Sequence, residues 1–130
     1  MIPKVIHYCW FGSNEKNELI IKCIESWKRY CPDYEIKEWN ESNYDVTKQP
    51  FMRNAYKAGK WAFVADYARV DILYQHGGIY LDTDVELVSS LDPFLQYDFY
   101  AGFESVSFVS FGLGFGSAEG HPVLKDILDY

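Results

Sequence analysis

Gly77-Gly78-Ile79-Tyr80-Leu81-Asp82-Thr83-Asp84 reads as a short apolar strand released by two glycines and closed by two carboxylates. In an extended chain alternate side chains share a face, so Asp82 and Asp84 are expected to point the same way. Two hard oxygen ligands at a strand end suit Mg²⁺ or Mn²⁺, which keep open positions for substrate phosphates. The chain is therefore a candidate for handling a phosphorylated ligand. An Asp-x-Asp triplet alone would equally fit a solvated turn or a helix cap. The Gly-Gly pair and the apolar strand before it favour the site.

Upstream of this strand a helix is expected over 61–75, stopped by His76-Gly77-Gly78. Ala62, Ala65 and Ala68 keep it small, while Phe63, Val64, Val70 and Leu73 imply broad burial. Asp66 and Arg69 lie three apart on one face. On a surface such a pair is worth little. Buried, it costs desolvation, and its retention points to ligand contact.

Further out, residues 5–10 form a compact apolar run after Pro3 and read as a buried first strand. Ser13 or Asn14 is placed to cap a helix running to Tyr30, with Leu19, Ile20, Cys23, Ile24 and Trp27 on its apolar face. A second strand is expected over 34–39, a polar loop over 40–49 and a short helix over 51–58 with Pro50 at its start. Residues 85–88 either continue the carboxylate strand or begin a neighbour. Strands are expected over 98–103 and 106–111, and a helix after His121-Pro122. Gly112, Gly114 and Gly116 form a glycine-rich stretch with no Lys-Ser/Thr behind it, so it is not a P-loop. This order argues for an α/β fold with a largely parallel sheet flanked by helices. In such sheets ligands sit beyond the carboxyl ends of strands, where Trp10 and the Asp82-Thr83-Asp84 triplet would meet.

The bulk composition is consistent with this. The 130 residues suffice for one domain, and the 18% aromatic content is high for a globular chain. A net charge of −7 argues against nucleic acid as a partner and against unaided docking on anionic membranes. Cys9, Cys23 and Cys31 form no CxxC pair and are expected to be reduced thiols. No apolar run is long enough to span a bilayer, and the start lacks a signal-peptide layout, so a cytoplasmic location is expected. The sequence stops at Tyr130 inside a helical pattern. One donor-binding domain over 1–130, incomplete at its C-terminus, is the expected organisation.

Single residues carry alternatives. His7, within an apolar strand, fits a satisfied core histidine better than a metal ligand. Trp10, at a strand end before Gly12, fits either core or a base-stacking wall. Tyr80 fits core, provided that its hydroxyl finds a partner.

Together these pieces resemble a known family. Ile2-Pro3-Lys4-Val5-Ile6-His7-Tyr8-Cys9-Trp10 resembles the N-terminal signature of DXD-containing sugar transferases. Ala65-Asp66-Tyr67-Ala68-Arg69 and the Gly77–84 block resemble their central Asp-x-x-Arg and Gly-Gly-x-Tyr-x-Asp-x-Asp motifs. The family is glycosyltransferase family 32, which includes yeast-type mannosyltransferases and bacterial capsule or lipopolysaccharide transferases. It is similar in its core to the clostridial glucosylating toxins. The resemblance implies a GT-A fold, a nucleotide-sugar donor (a UDP-sugar ahead of GDP-mannose), Mn²⁺ or Mg²⁺, and transfer with retention in surface polysaccharide synthesis. It implies a saccharide or glycolipid acceptor, with room for peripheral association at the inner face of a membrane. It casts Asp82, Asp84 and Arg69 as catalytic, and His7, Trp10, Asp66, Arg69, Tyr80 and Asp82 as donor-binding. Asp84 would bind the metal directly and Asp82 through water.

Two other readings compete. Asp82-Thr83-Asp84-Val85 also fits the nucleophile motif of haloacid-dehalogenase phosphatases, in which Asp82 would attack phosphate. That motif ordinarily closes the first strand of its domain, and here two strands precede it. The third reading is a nucleotide-sugar-binding module without catalysis.

Overall fold

The computed structural model describes residues 1–105 and 108–129, and between 102 and 113 the backbone only. Five strands form one mixed sheet. They are β1 (Val5–Cys9), β2 (Glu35–Trp39), β3 (Gly78–Leu81), β4 (Phe99–Ser105) and β5 (Phe108–Ser117), in the order β2-β1-β3-β5-β4. Four α-helices complete the fold: α1 (Glu18–Tyr30), α2 (Pro50–Lys57), α3 (Trp61–His76) and α4 (Pro122–Asp129).

The strand pattern assigns the layers. Ile6 and Tyr8 of β1, with Ile79 and Leu81 of β3, pack against Ile24 and Trp27 of α1. Cys9 and Tyr80 point the other way, into a core with Met52 of α2, Val64, Ala68 and Leu73 of α3 and Leu124 of α4. Alternation along each strand therefore sends one set of side chains to each helical layer. α3 is apolar around most of its circumference because it lies between the sheet and both α2 and α4.

The sheet is half parallel, which corrects the largely parallel sheet that element order suggested and matches the mixed, helix-flanked sheet expected of a GT-A-like fold. β1 pairs in parallel with β2 and β3, but β3 pairs antiparallel with β5, and β5 with β4. The physical reason is the connection. The parallel strands are joined through helices, whereas β4 and β5 follow one another closely and can only fold back. Part of the expected 106–111 strand, at residues 106 and 107, lies outside the described residues. Gly114 and Gly116 belong to β5 and not to a loop. A Cβ on Gly114 would approach Leu81 Cδ2 to 2.9 Å, and one on Gly116 would collide with the Tyr100 ring.

Two further boundaries differ. α1 starts at Glu18, capped by Asn17, whose Oδ1 accepts from Ile20 N at 2.9 Å. Ser13 and Asn14 lie in the loop before it. Residues 85–88 are not a strand either. Trp27 Nε1 donates to Val85 O at 2.8 Å and Leu87 N to Ser26 Oγ at 2.9 Å, so this segment is strapped to α1.

Candidate functional site

The carboxyl ends of the parallel pair β1 and β3 open into a cavity of about 490 Å³. Three pieces of chain wall it. Trp10, Phe11, Asn14 and Glu15 follow β1; Ala62, Ala65, Asp66 and Arg69 come from α3; Asp82, Thr83 and Asp84 follow β3. The alanines matter as absences, because their short side chains leave space between α3 and the strand ends.

The carboxylate pair reaches the cavity by a different route from the expected one. β3 ends at Leu81, and Val85 N donates to Asp82 O at 3.1 Å, closing a turn over residues 82–85. Asp82 and Asp84 share a side because the turn folds them together, and not because they alternate along a strand. The strap to α1 holds this turn from behind. Asp82 is half-buried and Asp84 exposed.

Asp82 has too little positive charge around it. Burial pushes its carboxyl up to about 6, Arg69 pulls it down, and Asp84 and Asp66 push it up again. A hard divalent cation answers that electrostatic surplus, and oxygen is the donor type that it takes. Among the described residues no group of three or more His, Cys, Asp or Glu comes together as a metal cage. Mg²⁺ and Mn²⁺ do not need one, since water and substrate phosphate complete their shells. The residues present therefore fit such an ion.

Arg69 Nη2 lies 3.4 Å from Asp66 Oδ1, with Arg69 17% and Asp66 48% exposed. The pair is therefore not buried as a unit: the guanidinium is sunk in the wall and the carboxylate opens outward. Arg69 Nε is buried without a hydrogen-bond partner among the described residues. A buried guanidinium with a spare donor beside a cavity is ready to meet a polar ligand.

Tyr80 is buried and lines the same cavity, its hydroxyl close enough to interact with Asp82 and the Cys9 thiol. Burial pushes Cys9 up to about 12, so it is no nucleophile. All three cysteines are free and buried. Trp10 is fixed by Nε1 donating to Asn14 O at 2.7 Å. It also walls a second cavity, of about 590 Å³, with Lys16, Glu38 and Glu41.

His7 is not brought to either cavity. It is 2% exposed, its Nε2 sits 2.9 Å from Gly77 O, and its Nδ1 accepts from Trp39 Nε1 at 3.0 Å. That pairing assigns the proton to Nε2. Burial above all lowers its pKa to about 4. His7 therefore ties β1 to β2 and to the start of β3 as a neutral core residue, and the donor-binding role expected for it is corrected on that geometry.

Residues 17–100 match the family described as the glycosyltransferase sugar-binding region containing DXD motif. This chain belongs to that family. Among curated relatives, inositol phosphoceramide mannosyltransferase 3 of Schizosaccharomyces pombe is 35% identical over 131 residues, covering 98% of this chain and 36% of that protein. Mannosyl phosphorylinositol ceramide synthase CSH1 of Saccharomyces cerevisiae is 28% identical over 138 residues, covering 100% of this chain and 36% of that protein. The chain thus spans about a third of the length of these relatives. A solved structure, PaToxG glycosyltransferase, superposes with a TM-score of 0.76 over 98% of this chain and 58% of that one, at 20% identity. It shows the fold, which is GT-A-like. The family match gives the phosphatase reading of Asp82 no support.

Sequence reading missed Glu41, in a polar stretch expected to be plain loop. Its carboxylate accepts from Gly12 N at 2.6 Å and Tyr56 Oη at 3.0 Å. It also missed Trp61, whose ring lies against Gly12 and lines the first cavity. No local pattern announces either contact, because both join segments distant in sequence.

Proposed function

We propose that this chain forms the donor-binding part of a metal-dependent, retaining glycosyltransferase that moves mannose from a nucleotide-activated donor to a glycolipid acceptor. The observation that carries this reading is one cavity walled by Trp10, Asp66, Arg69, Asp82 and Asp84. The mannosyl donor and the glycolipid acceptor are carried over from the names of the fungal relatives. They favour GDP-mannose over the UDP-sugar, and a lipid over a capsular or lipopolysaccharide acceptor. No helix among the described residues is long and apolar enough to cross a membrane. A lipid acceptor would be met at the membrane surface.

Each residue then has a task. Trp10 offers a flat indole face to the base. Asp66, exposed at the rim, accepts hydrogen bonds from sugar hydroxyls. Arg69 lines the same cavity, and its charge favours the ionised form of Asp82. Tyr80 supports Asp82 from below. Asp84 and Asp82 would hold a divalent cation, which supplies Lewis-acid neutralisation of the departing diphosphate. The acceptor hydroxyl is the nucleophile, so a water-activating base is not required.

Calorimetric titration with GDP-mannose and with UDP-sugars, in Mn²⁺ and in EDTA, tests this. Metal-dependent binding of GDP-mannose that Asp84→Asn abolishes is the expected result. Binding that persists in EDTA and in the variant would overturn the metal site. Selective binding of a UDP-sugar would overturn the donor.

A further inference from the structure

The loop between β1 and α1 carries a backbone strain that its own sequence does not require. Gly12 and Ser13 have φ of +94° and +59° in succession, and Ser13 is the only non-glycine residue with positive φ among those described. Such conformations persist only where surrounding contacts over-determine them, and they gather at functional sites. Two contacts do so here. The Trp61 ring fills the space where a Cβ on Gly12 would lie, with three ring atoms 2.5, 2.7 and 2.9 Å from that position. From the other side the Glu41 carboxylate accepts the Gly12 N–H at 2.6 Å, a charge-assisted bond.

Glu41 is itself held. Tyr56 of α2 donates to the same oxygen at 3.0 Å. The segment that bears Glu41 is anchored on α3, where Tyr44 Oη and Lys48 Nζ both reach Asp71 Oδ2 at 2.6 Å. A chain of polar contacts therefore runs from α3, through residues 40–49, to the loop that presents Trp10.

We infer that Glu41 is a positioning residue for the nucleotide wall of the donor cavity, acting through Gly12 N–H to hold the strained loop so that Trp10 faces the bound base. This rests on the donor-site reading above. Glu41 does not line the donor cavity; it acts through Trp10, which lies two residues from Gly12.

The test compares the parent protein with Glu41→Ala and Glu41→Gln. GDP-mannose affinity and KM in Mn²⁺ are read beside kcat, with amide exchange at residues 10–14 of the ligand-free protein. Glu41→Ala is expected to raise Kd and KM about tenfold, the scale of one lost charge-assisted hydrogen bond, with kcat within about twofold. Exchange at Gly12 and Ser13 quickens while the strands stay protected. Glu41→Gln keeps an acceptor oxygen and recovers most of the affinity. A merely structural role would lower the active fraction, and so kcat, without moving KM. Unchanged KM and unchanged exchange in a folded Glu41→Ala protein overturn the inference alone. A parent protein that binds no nucleotide overturns the donor-site reading, and the inference with it. Gly12→Ala, which drives a methyl into Trp61, gives the same loss of affinity by an independent route.

Discussion

Two carboxylates in this molecule, Asp71 and Asp82, sit close to the same helix and live in opposite ways. Asp71, on α3, is 4% exposed and saturated: an ammonium and a phenol both reach one of its oxygens at 2.6 Å. Asp82, after β3, has Arg69 nearby but also Asp84 and Asp66, and its carboxyl rises to about 6. The first spends its charge on the fold. The second keeps charge that the fold leaves uncompensated, which is what a cation and a diphosphate can use. Burial alone would have ranked them the wrong way round as functional candidates.

The contrast can be broken by experiment. The largest effect is expected from Asp82→Asn, which should cut sugar transfer by about 100-fold or more while leaving the thermal midpoint unchanged or raised. An active variant would end Asp82's claim. Asp71→Asn should do the reverse. It removes the buried anion that Lys48 and Tyr44 share and costs about 2 kcal/mol in a denaturant titration, with metal binding by the folded protein intact. Tyr44→Phe removes one of those bonds and should cost about 1 kcal/mol.

The smallest effect is in pH. Asp82 titrates at about 6 in the fold against an ordinary 3.8, so its stabilising contribution is present below about pH 4 and is lost as pH rises through 6. His7 goes the other way. It titrates at about 4 against an ordinary 6.5, so stability is present above that value and is lost as pH falls towards 4. The two slopes oppose each other between about pH 4 and 6, and Asp82 is partly solvent-screened. The metal-free parent should therefore show a shallow profile, and Asp82→Asn should show the unmasked His7 slope, gaining stability with rising pH. Chemical denaturation across pH 4 to 7 reads this directly, and identical profiles would remove Asp82's raised value.

How much of this was legible in the chain depends on how local the cause is. β1, β2, α3 and its stop at Gly77 follow from periodicity and from residues within one turn of each end, whereas the glycine-rich part of β5 that pairs with β3 was not read as strand. Asp66, Arg69, Asp82 and Asp84 were named from motif spacing and helix geometry, and the fold brings all four to one cavity. The shape of the Asp82 turn was not readable, because Trp27 and Ser26, far upstream, decide it. The cap of α1 was misplaced for a similar reason: Ser13 looks like a cap but sits at positive φ beside Gly12, which Glu41 and Trp61 hold. His7 looked like part of the site because it belongs to the same sequence signature as Trp10. Strand alternation sends the two apart, His7 into the core and Trp10 to the edge of the opening.

β3 has a consequence for the order in which this molecule assembles. Its partners are Ile6 and His7 on one side and residues 114–117 on the other, so neither edge can be satisfied by a neighbouring segment. Local helices can form early, but the strand leading to Asp82 gains its ladder only after both distant partners arrive. During synthesis the two aspartates leave the ribosome well before Gly114 to Ser117. The donor cavity should then be among the last features to appear on folding, and a chain halted before β5 would carry the full Gly77–Asp84 motif with only one side of its strand supported.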